Sequence, residues 1–115
     1  MNIDHIYVTI MAGSHTDQID WWTRALGRTF DRVPVPNCRE WDLSSSVIFQ
    51  VIEGASESGK TEVALHVDDV DKESGRLTAS GIQLGEPQLV PGFSALRWAQ
   101  VKDPEGNRLS LLSGQ

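Results

Sequence analysis

The ten residues from Glu62 to Asp71 read Glu-Val-Ala-Leu-His-Val-Asp-Asp-Val-Asp. The first six residues place an apolar side chain at every second position, which predicts a strand with one apolar face and one face that carries Glu62 and His66. The aspartates that follow are typical helix N-cap residues, and Val70 and Leu77 continue with helical spacing. The sequence therefore predicts a strand over 62–67 that leads directly into a helix over 70–79.

A similar unit is found near the N-terminus, where residues 3–11 alternate in the same way. Its two predicted faces carry Ile6, Val8 and Ile10 on one side and His5, Tyr7 and Thr9 on the other. A helix follows, with Ser14 or Thr16 as its N-cap and Gly27 as the residue that ends it. The predicted apolar stripe of that helix consists of Ile19, Trp22, Ala25 and Leu26.

Each predicted helix is followed by three further strands, at 28–33, 39–43 and 47–53 in the first half and at 82–90, 96–102 and 108–112 in the second. Residues 54–60 are small and polar and form the best linker candidate. We therefore divide the single domain into module 1 (residues 1–57) and module 2 (residues 58–115). The equal spacings of Asp17 to Gly27 and Asp71 to Gly81 support an internal repeat. The prediction is an α+β fold of two βαβββ modules, each with one helix behind a curved sheet.

The composition excludes several classes of partner. With 115 residues, a formal charge of −6 and scattered arginines, the chain is one acidic domain that is not suited to nucleic acid. It contains no apolar run of about 20 residues, so no membrane partner is expected. Cys38 is the single cysteine and the first residues lack the features of a signal peptide, which favours a cytoplasmic protein.

Four motifs, in this order along the chain, carry a resemblance to a known family. They are Ile3-Asp4-His5-Ile6, the helix end Trp-Trp-Thr-Arg-Ala-Leu-Gly at 21–27, Val67-Asp68-Asp69-Val70-Asp71, and Asp-Pro-Glu-Gly-Asn-Arg-Leu at 103–109. Together they resemble the vicinal oxygen chelate superfamily, which includes glyoxalase I, extradiol dioxygenases and the bleomycin resistance proteins. The resemblance covers essentially the whole chain and implies that the sheets of the two βαβββ modules form a cup.

The resemblance also implies where a metal would bind. Metal-dependent members place one ligand on the first and one on the last strand of each module, and these positions correspond to His5, Gln50, Glu62 and Ser110. A glutamine amide and a serine hydroxyl are poor ligands for a divalent ion. We therefore expect no metal and no other cofactor; if a divalent metal is bound, its expected ligands are His5, Gln50 and Glu62.

The polar faces of the predicted strands are expected to line the cup. The residues concerned are His5, Tyr7, Gln50, Glu62, His66, Trp98, Gln100 and Ser110. Glu62 and His66 share one strand face, so they are either an ion pair in water or, as the candidate catalytic residues, an acid/base pair in a cavity. Trp98 offers a ring that can stack on a flat ligand, and core packing is the alternative role for both Trp98 and Trp41.

Three further features are given structural roles. Trp22 is expected in the core, whereas Trp21 is expected to be more exposed and to lie at a subunit contact, where tryptophan is enriched. No candidate base lies near Cys38 in the sequence, so a structural thiol is expected rather than a nucleophile. Residues 103–107 lack the alternating carboxylates of a calcium loop and are predicted to form a turn.

The leading hypothesis is a glyoxalase-like or bleomycin-resistance-like protein that binds a small organic molecule in its cup without a metal. The resemblance further implies a homodimer with the ligand at or near the subunit interface. One alternative is a metal-dependent lyase, isomerase or dioxygenase, in which the ion would bind two adjacent substrate oxygens. A second alternative is a metal-free enzyme in which Glu62 or His66 is the general base.

Overall fold

The computed structural model describes residues 2–54, 59 and 61–115. The elements of module 1 are β1 (Ile6–Ala12), α1 (His15–Leu26), β2 (Cys38–Asp42) and β3 (Val47–Glu53). Those of module 2 are β4 (Glu62–His66), α2 (Val70–Ala79), β5 (Gln88–Leu89), β6 (Arg97–Lys102) and β7 (Arg108–Ser113). Neither helix of the described residues is long and apolar enough to cross a membrane. The proposed boundary between the modules, after residue 57, and most of the predicted linker lie outside the described residues.

The strands form two mixed sheets, and the strands of each sheet are connected in the same way. Module 1 has the order β1-β3-β2 and module 2 has the order β4-β7-β6-β5. In each module the first strand pairs parallel with the last, and the last pairs antiparallel with the strand before it. This arrangement confirms the predicted α+β class with one helix in each half.

The second strand of module 1 differs from the prediction. The strand expected at 28–33 is reduced to one isolated bridge between Arg32 and Glu40. Pro34 and Pro36 follow immediately, and because proline lacks an amide hydrogen it cannot extend an antiparallel ladder. Its counterpart in module 2, predicted at 82–90, is also shorter than expected. It is β5, which contains only two residues and directly follows Pro87.

β1 begins at Ile6 rather than at the expected residue 3. The amide of Ile6 donates to the carbonyl oxygen of Ser46 at 2.7 Å, and Ile6 is in register with Val47, the first residue of β3. Within the described part of the chain, residues 3–5 therefore have no partner in β3. Alternation of side chains cannot show where pairing begins, so it places the start of β1 too early.

Aromatic side chains of α1, β2 and β3 form the centre of the core. Trp22, Trp41 and Phe49 are fully buried, with ring centroids 4.6 Å apart for Trp22 and Phe49 and 5.7 Å apart for Trp41 and Phe49. The core role expected for Trp22 is confirmed. Residues of module 2, including Val63 and Leu109, belong to the same cluster, so the modules share one core.

The expectation that Trp21 is exposed is wrong. Its side chain is 7% exposed and packs edge-on against Trp22 with centroids 4.9 Å apart. The buried side of α1 also includes Gln18, which is fully buried. The apolar stripe is wider than the sequence suggests because α1 packs against elements of both modules rather than against one sheet.

Asp103, in the turn between β6 and β7, joins the two modules through a buried carboxylate. One oxygen accepts from Gln18 Nε2 at 2.8 Å, Trp22 Nε1 at 3.1 Å and Asn107 Nδ2 at 2.8 Å. The other accepts from the backbone amides of Glu105 and Asn107 at 3.0 and 2.9 Å. A buried carboxylate needs this number of donors to offset the loss of hydration. The turn predicted at 103–107 is confirmed, and it serves as the anchor for α1.

The same turn also holds the start of α1. The side chain of Ser14, the N-cap residue, makes no capping hydrogen bond. The Glu105 carboxylate instead accepts from the backbone amides of Gly13 at 2.6 Å and Ser14 at 2.9 Å. At the other end of α1, Arg76 of α2 donates to the carbonyl oxygens of Arg24 and Ala25 at 3.1 and 2.6 Å. Both ends of α1 are therefore fastened to module 2 by charges that match the helix dipole.

Cys38 is a buried free thiol, 3% exposed. Burial raises the pKa of the Cys38 thiol, and the nearby Glu40 carboxylate acts in the same direction. A raised pKa leaves little thiolate at neutral pH, so the group is a weak nucleophile. The structural role expected from the sequence agrees with this environment.

Replacing Asp103 by alanine should destabilise the fold strongly. Five donors lose their acceptor, two of them on side chains of α1 in module 1, so we expect a loss of about 3–5 kcal/mol in the free energy of unfolding. Urea unfolding followed by circular dichroism measures the loss. Asp68→Ala, at an exposed position, is the control and should change stability by less than about 0.5 kcal/mol. If Asp103→Ala does not fold, Asp103→Asn keeps one acceptor and should still be clearly less stable than the control; equal stabilities would contradict this role for Asp103.

Candidate functional site

The open face of module 2 is the side of the β4-β7-β6 sheet that points away from the core. Val63, Ala99, Leu109 and Leu111 are buried on the core side. The alternate residues therefore point to the open face, and the strand register places them in rows. One row consists of Ala64, Ser110 and Gln100, and the next of His66, Leu112, Trp98 and Gln88. This register places four predicted site residues together on the open face: Glu62, Trp98, Gln100 and Ser110.

A cavity of about 510 Å³ lies on this open face; we call it the aromatic cavity. Its lining consists of Glu62, Ala64, Val90, Pro91, Trp98, Gln100, Ser110 and Leu112. Four predicted ligand-binding residues are thus brought together, one from β4, two from β6 and one from β7. Val90 and Pro91 come from the loop after β5 and were missed by sequence reasoning, because alternation along strands says nothing about where a loop folds back.

Glu62 is the most weakly bonded polar group of the aromatic cavity. Gln100 Nε2 donates to Ser110 Oγ at 2.8 Å. Both Gln100 Nε2 and Ser110 Oγ lie 3.4 Å from Glu62 Oε1, at the long end of the range for hydrogen bonds. Glu62 is exposed. Its carboxylate therefore keeps hydrogen-bonding capacity for a ligand.

The corresponding face of module 1 is closed by its own side chains. Thr9, Gln50 and Glu40 lie directly opposite one another in register. Thr9 Oγ1 donates to Gln50 Oε1 at 2.9 Å, and Gln50 Nε2 donates to Glu40 Oε2 at 2.5 Å. Arg32 then donates to Glu40 Oε1 at 3.2 Å. Gln50 uses both ends of its amide within the protein, and the buried Glu40, which sequence reasoning did not single out, is the residue that orients it.

This chain of hydrogen bonds ends in a charged cluster at the sheet edge. The pKa of Asp31 is held below its ordinary value, first by the hydrogen bond from the backbone amide of Asp42 and then by the Arg28 guanidinium. The pKa of Arg32 is raised by its hydrogen bonds to the carboxylates of Asp42 and Glu40. Charged partners thus hold Arg32, and through it Glu40, in place.

The other predicted site residues lie elsewhere. His5 and Tyr7 are exposed and do not line the aromatic cavity. His66 is exposed, and its Nε2 lies 2.9 Å from the carbonyl oxygen of Gly114. Glu62 and His66 are four residues apart on one strand, about 13 Å along it, and they bond to different partners. The structure therefore does not bring Glu62 and His66 together as a pair.

The residues at the implied metal positions do not fit one ion. His5 precedes β1, whereas Gln50 is in register with Thr9, four residues or about 13 Å further along the strand. The amide oxygen of Gln50 already accepts from Thr9, and Ser110 Oγ accepts from Gln100. Across the ranges that the structure describes, no three side chains of histidine, cysteine, aspartate or glutamate are grouped to hold a metal ion.

A second cavity of about 390 Å³ adjoins the first, because Glu62 lines both; we call it the basic cavity. Its other lining residues are Gly59, Thr61, Lys102, Gly106 and Arg108. Neither Lys102 nor Arg108 was a sequence-based candidate. Both sit at strand ends, where alternation predicts a face but gives no reason to distinguish a site from a solvated surface.

Comparison with known proteins gives a consistent picture of the fold. No family model matches the sequence, and no curated protein matches it either. Among solved structures, a glyoxalase/bleomycin resistance protein from Catenulispora acidiphila has a TM-score of 0.87 and 16% identity, covering 96% of this chain and 98% of that one. An antibiotic-binding protein from a Streptomyces species has a TM-score of 0.79 and 21% identity, covering 100% and 99%.

A third similar structure is lactoylglutathione lyase from Agrobacterium tumefaciens, with a TM-score of 0.77 and 13% identity over 95% of this chain and 92% of that one. Identities this low establish a shared fold and leave activity open. The chain therefore has the fold of the glyoxalase/bleomycin resistance proteins, which is the fold that its four sequence motifs predict.

Proposed function

We propose that the protein binds a small, flat organic molecule in the aromatic cavity of module 2, without the need for a metal. The observation that carries this proposal is the position of Trp98. The other three tryptophans, Trp21, Trp22 and Trp41, are buried in the core. Trp98 is half-buried and forms part of the cavity wall.

The size and chemistry of the cavity support this proposal. A volume of about 510 Å³ lies within the usual range for small-molecule sites, roughly 300–1,000 Å³. Trp98, Leu112, Val90 and Pro91 supply apolar surface, which favours an aromatic or aliphatic ligand. The polar side chains beside them would orient the ligand, above all Glu62, whose contacts with Gln100 and Ser110 are long.

The similar structures include both a binding protein and enzymes. One is described as an antibiotic-binding protein, whereas others are described as a lyase and as oxidases. We favour binding over a metal-dependent reaction, because the residues at the implied metal positions do not converge. The metal-free enzyme remains the second candidate, favoured by Glu62, whose exposed carboxylate lines both cavities. His66 has less support as a base, since its ring nitrogen is bonded to a carbonyl oxygen.

Replacing Trp98 by alanine should abolish most of the binding of a neutral flat probe, biphenyl-4-carboxamide. Loss of the ring removes the largest apolar contact in the cavity, so we expect the affinity to fall about tenfold or more. Isothermal titration calorimetry measures the affinity of the wild-type protein and of each variant. Leu89→Ala is the matched control, because Leu89 is an exposed apolar residue of the neighbouring strand outside the cavity. Equal affinities of wild-type protein and Trp98→Ala, or no binding to either, would refute the proposal.

We further propose that two copies of the chain associate through the β1 edge. β1 is the outer strand of its sheet, and no ladder joins it to β4 in the described part of the chain. Ile3, Ile6 and Tyr7, at the start of this edge, are 68%, 56% and 56% exposed. Open strand edges with exposed apolar side chains are typical association sites. In such a dimer His5 and Tyr7 would lie in the interface.

Light scattering after size-exclusion chromatography tests this association. The wild-type protein should elute with twice the 12.7 kDa mass of the chain, and Ile6→Lys should elute as a monomer. A lysine on the buried side of an interface costs several kcal/mol, whereas the same change at an exposed loop position, Val35→Lys, should leave the dimer intact. A monomeric wild-type protein, or a dimer that survives Ile6→Lys, would rule out the β1 edge.

A further inference from the structure

A row of three charges crosses the open face of module 2 at one end. Arg108 of β7 lies directly opposite Glu62 of β4 on one side and Lys102 of β6 on the other. All three residues line the basic cavity. Two positive charges and one negative charge leave this end of the face with a net positive charge, in a chain whose formal charge is −6.

Placing Lys102 directly opposite Arg108 is unfavourable in itself, because like charges on neighbouring strands repel. The other arginines are differently placed. Five of them pair with carboxylates, and they are Arg24, Arg28, Arg32, Arg76 and Arg97. Arg39 donates to backbone carbonyl oxygens. Within the described residues, neither Lys102 nor Arg108 has a carboxylate within 4 Å, so their charges are available to a ligand.

Two glycines in the lining of the basic cavity let backbone segments approach each other closely. Gly59 has a φ of +78°, and a Cβ atom there would lie 2.3 Å from the carbonyl oxygen of Glu105. Gly106 has a φ of +93°. Any other residue would be strained at these positions. Closely packed backbone rather than side chain therefore forms this part of the cavity wall.

We propose that the basic cavity binds an anionic group, such as a carboxylate, carried by the same flat molecule that occupies the aromatic cavity. This inference rests on the proposed function and specifies its ligand as an aromatic anion. The two cavities adjoin at Glu62. Trp98 and Lys102 lie on the same face of β6, four residues or about 13 Å apart along the strand. A ligand of two linked rings with a terminal carboxylate has the length to reach both.

A pair of probes of equal shape tests this inference on the full chain. Biphenyl-4-carboxylate and biphenyl-4-carboxamide differ in charge and not in size. Charge-assisted hydrogen bonds to Arg108 and Lys102 should make the carboxylate bind about tenfold more tightly near neutral pH, as measured by calorimetry. Raising the ionic strength from roughly 0.05 M to roughly 0.5 M should reduce that preference, because these side chains are exposed to solvent.

Variants assign the preference to particular residues. Arg108→Gln and Lys102→Gln should each remove most of the preference for the carboxylate, because they weaken the binding of the carboxylate far more than that of the carboxamide. Lys72→Gln, at an exposed position on α2, is the matched control and should retain the full preference. Glu62→Gln removes a negative charge between the two cavities, so it should increase the affinity for the carboxylate severalfold.

The outcomes separate this inference from the proposed function. Equal affinities for the two probes, both lost in Trp98→Ala, would overturn the anion site and leave the aromatic cavity as the binding site. A preference for the carboxylate that survives Arg108→Gln and Lys102→Gln would also overturn it. Failure of both probes to bind the wild-type protein would overturn the cavity proposal, and the anion site with it.

Discussion

Five hydrogen bonds to the buried carboxylate of Asp103 determine how the two modules meet. Its buried carboxylate accepts from side chains of α1 in module 1 and from the turn of module 2 that contains it. A carboxylate in this position is tolerated only when its donors are present, so the two modules have to meet in one orientation. Gln18 and Trp22 supply donors from successive turns of one helix. The shared core then packs around Trp22, which contacts both the carboxylate and Phe49.

The strands of the two modules are connected in the same way, but the open faces of their sheets differ. In module 1 the row Thr9, Gln50 and Glu40 is closed by short hydrogen bonds and anchored by Arg32. In module 2 the corresponding row, Ala64, Ser110 and Gln100, has a small residue in the first position and leaves space in front of the sheet. The polar groups of module 1 are used for stability, whereas those of module 2 remain available. This difference is the physical basis for our proposal that a ligand binds to module 2.

Much of the fold follows from the sequence because it depends on local patterns. Alternation along Val47–Glu53 and helical spacing along Val70–Ala79 gave the observed bounds of β3 and α2. The burial of Trp21 could not be predicted, since it depends on tertiary packing and not on the local sequence. The same limit applies to the site. Alternation along the strands placed the four predicted cavity residues of module 2 on one face. It could not show that Val90 and Pro91, from the loop after β5, enclose them. It also could not show that Gln50 is held by Glu40, because strand register is a property of the folded sheet.

The central claim is that a ligand occupies module 2 and contacts Trp98, whereas the other three tryptophans are core residues. Nuclear magnetic resonance of the four indole N–H groups tests this claim most directly, with assignment by single Trp→Phe variants. Addition of biphenyl-4-carboxamide should shift the Trp98 signal in proportion to occupancy and leave the signals of Trp22 and Trp41 in place. An unchanged Trp98 signal in the presence of bound probe, or shifts confined to the buried tryptophans, would contradict the account.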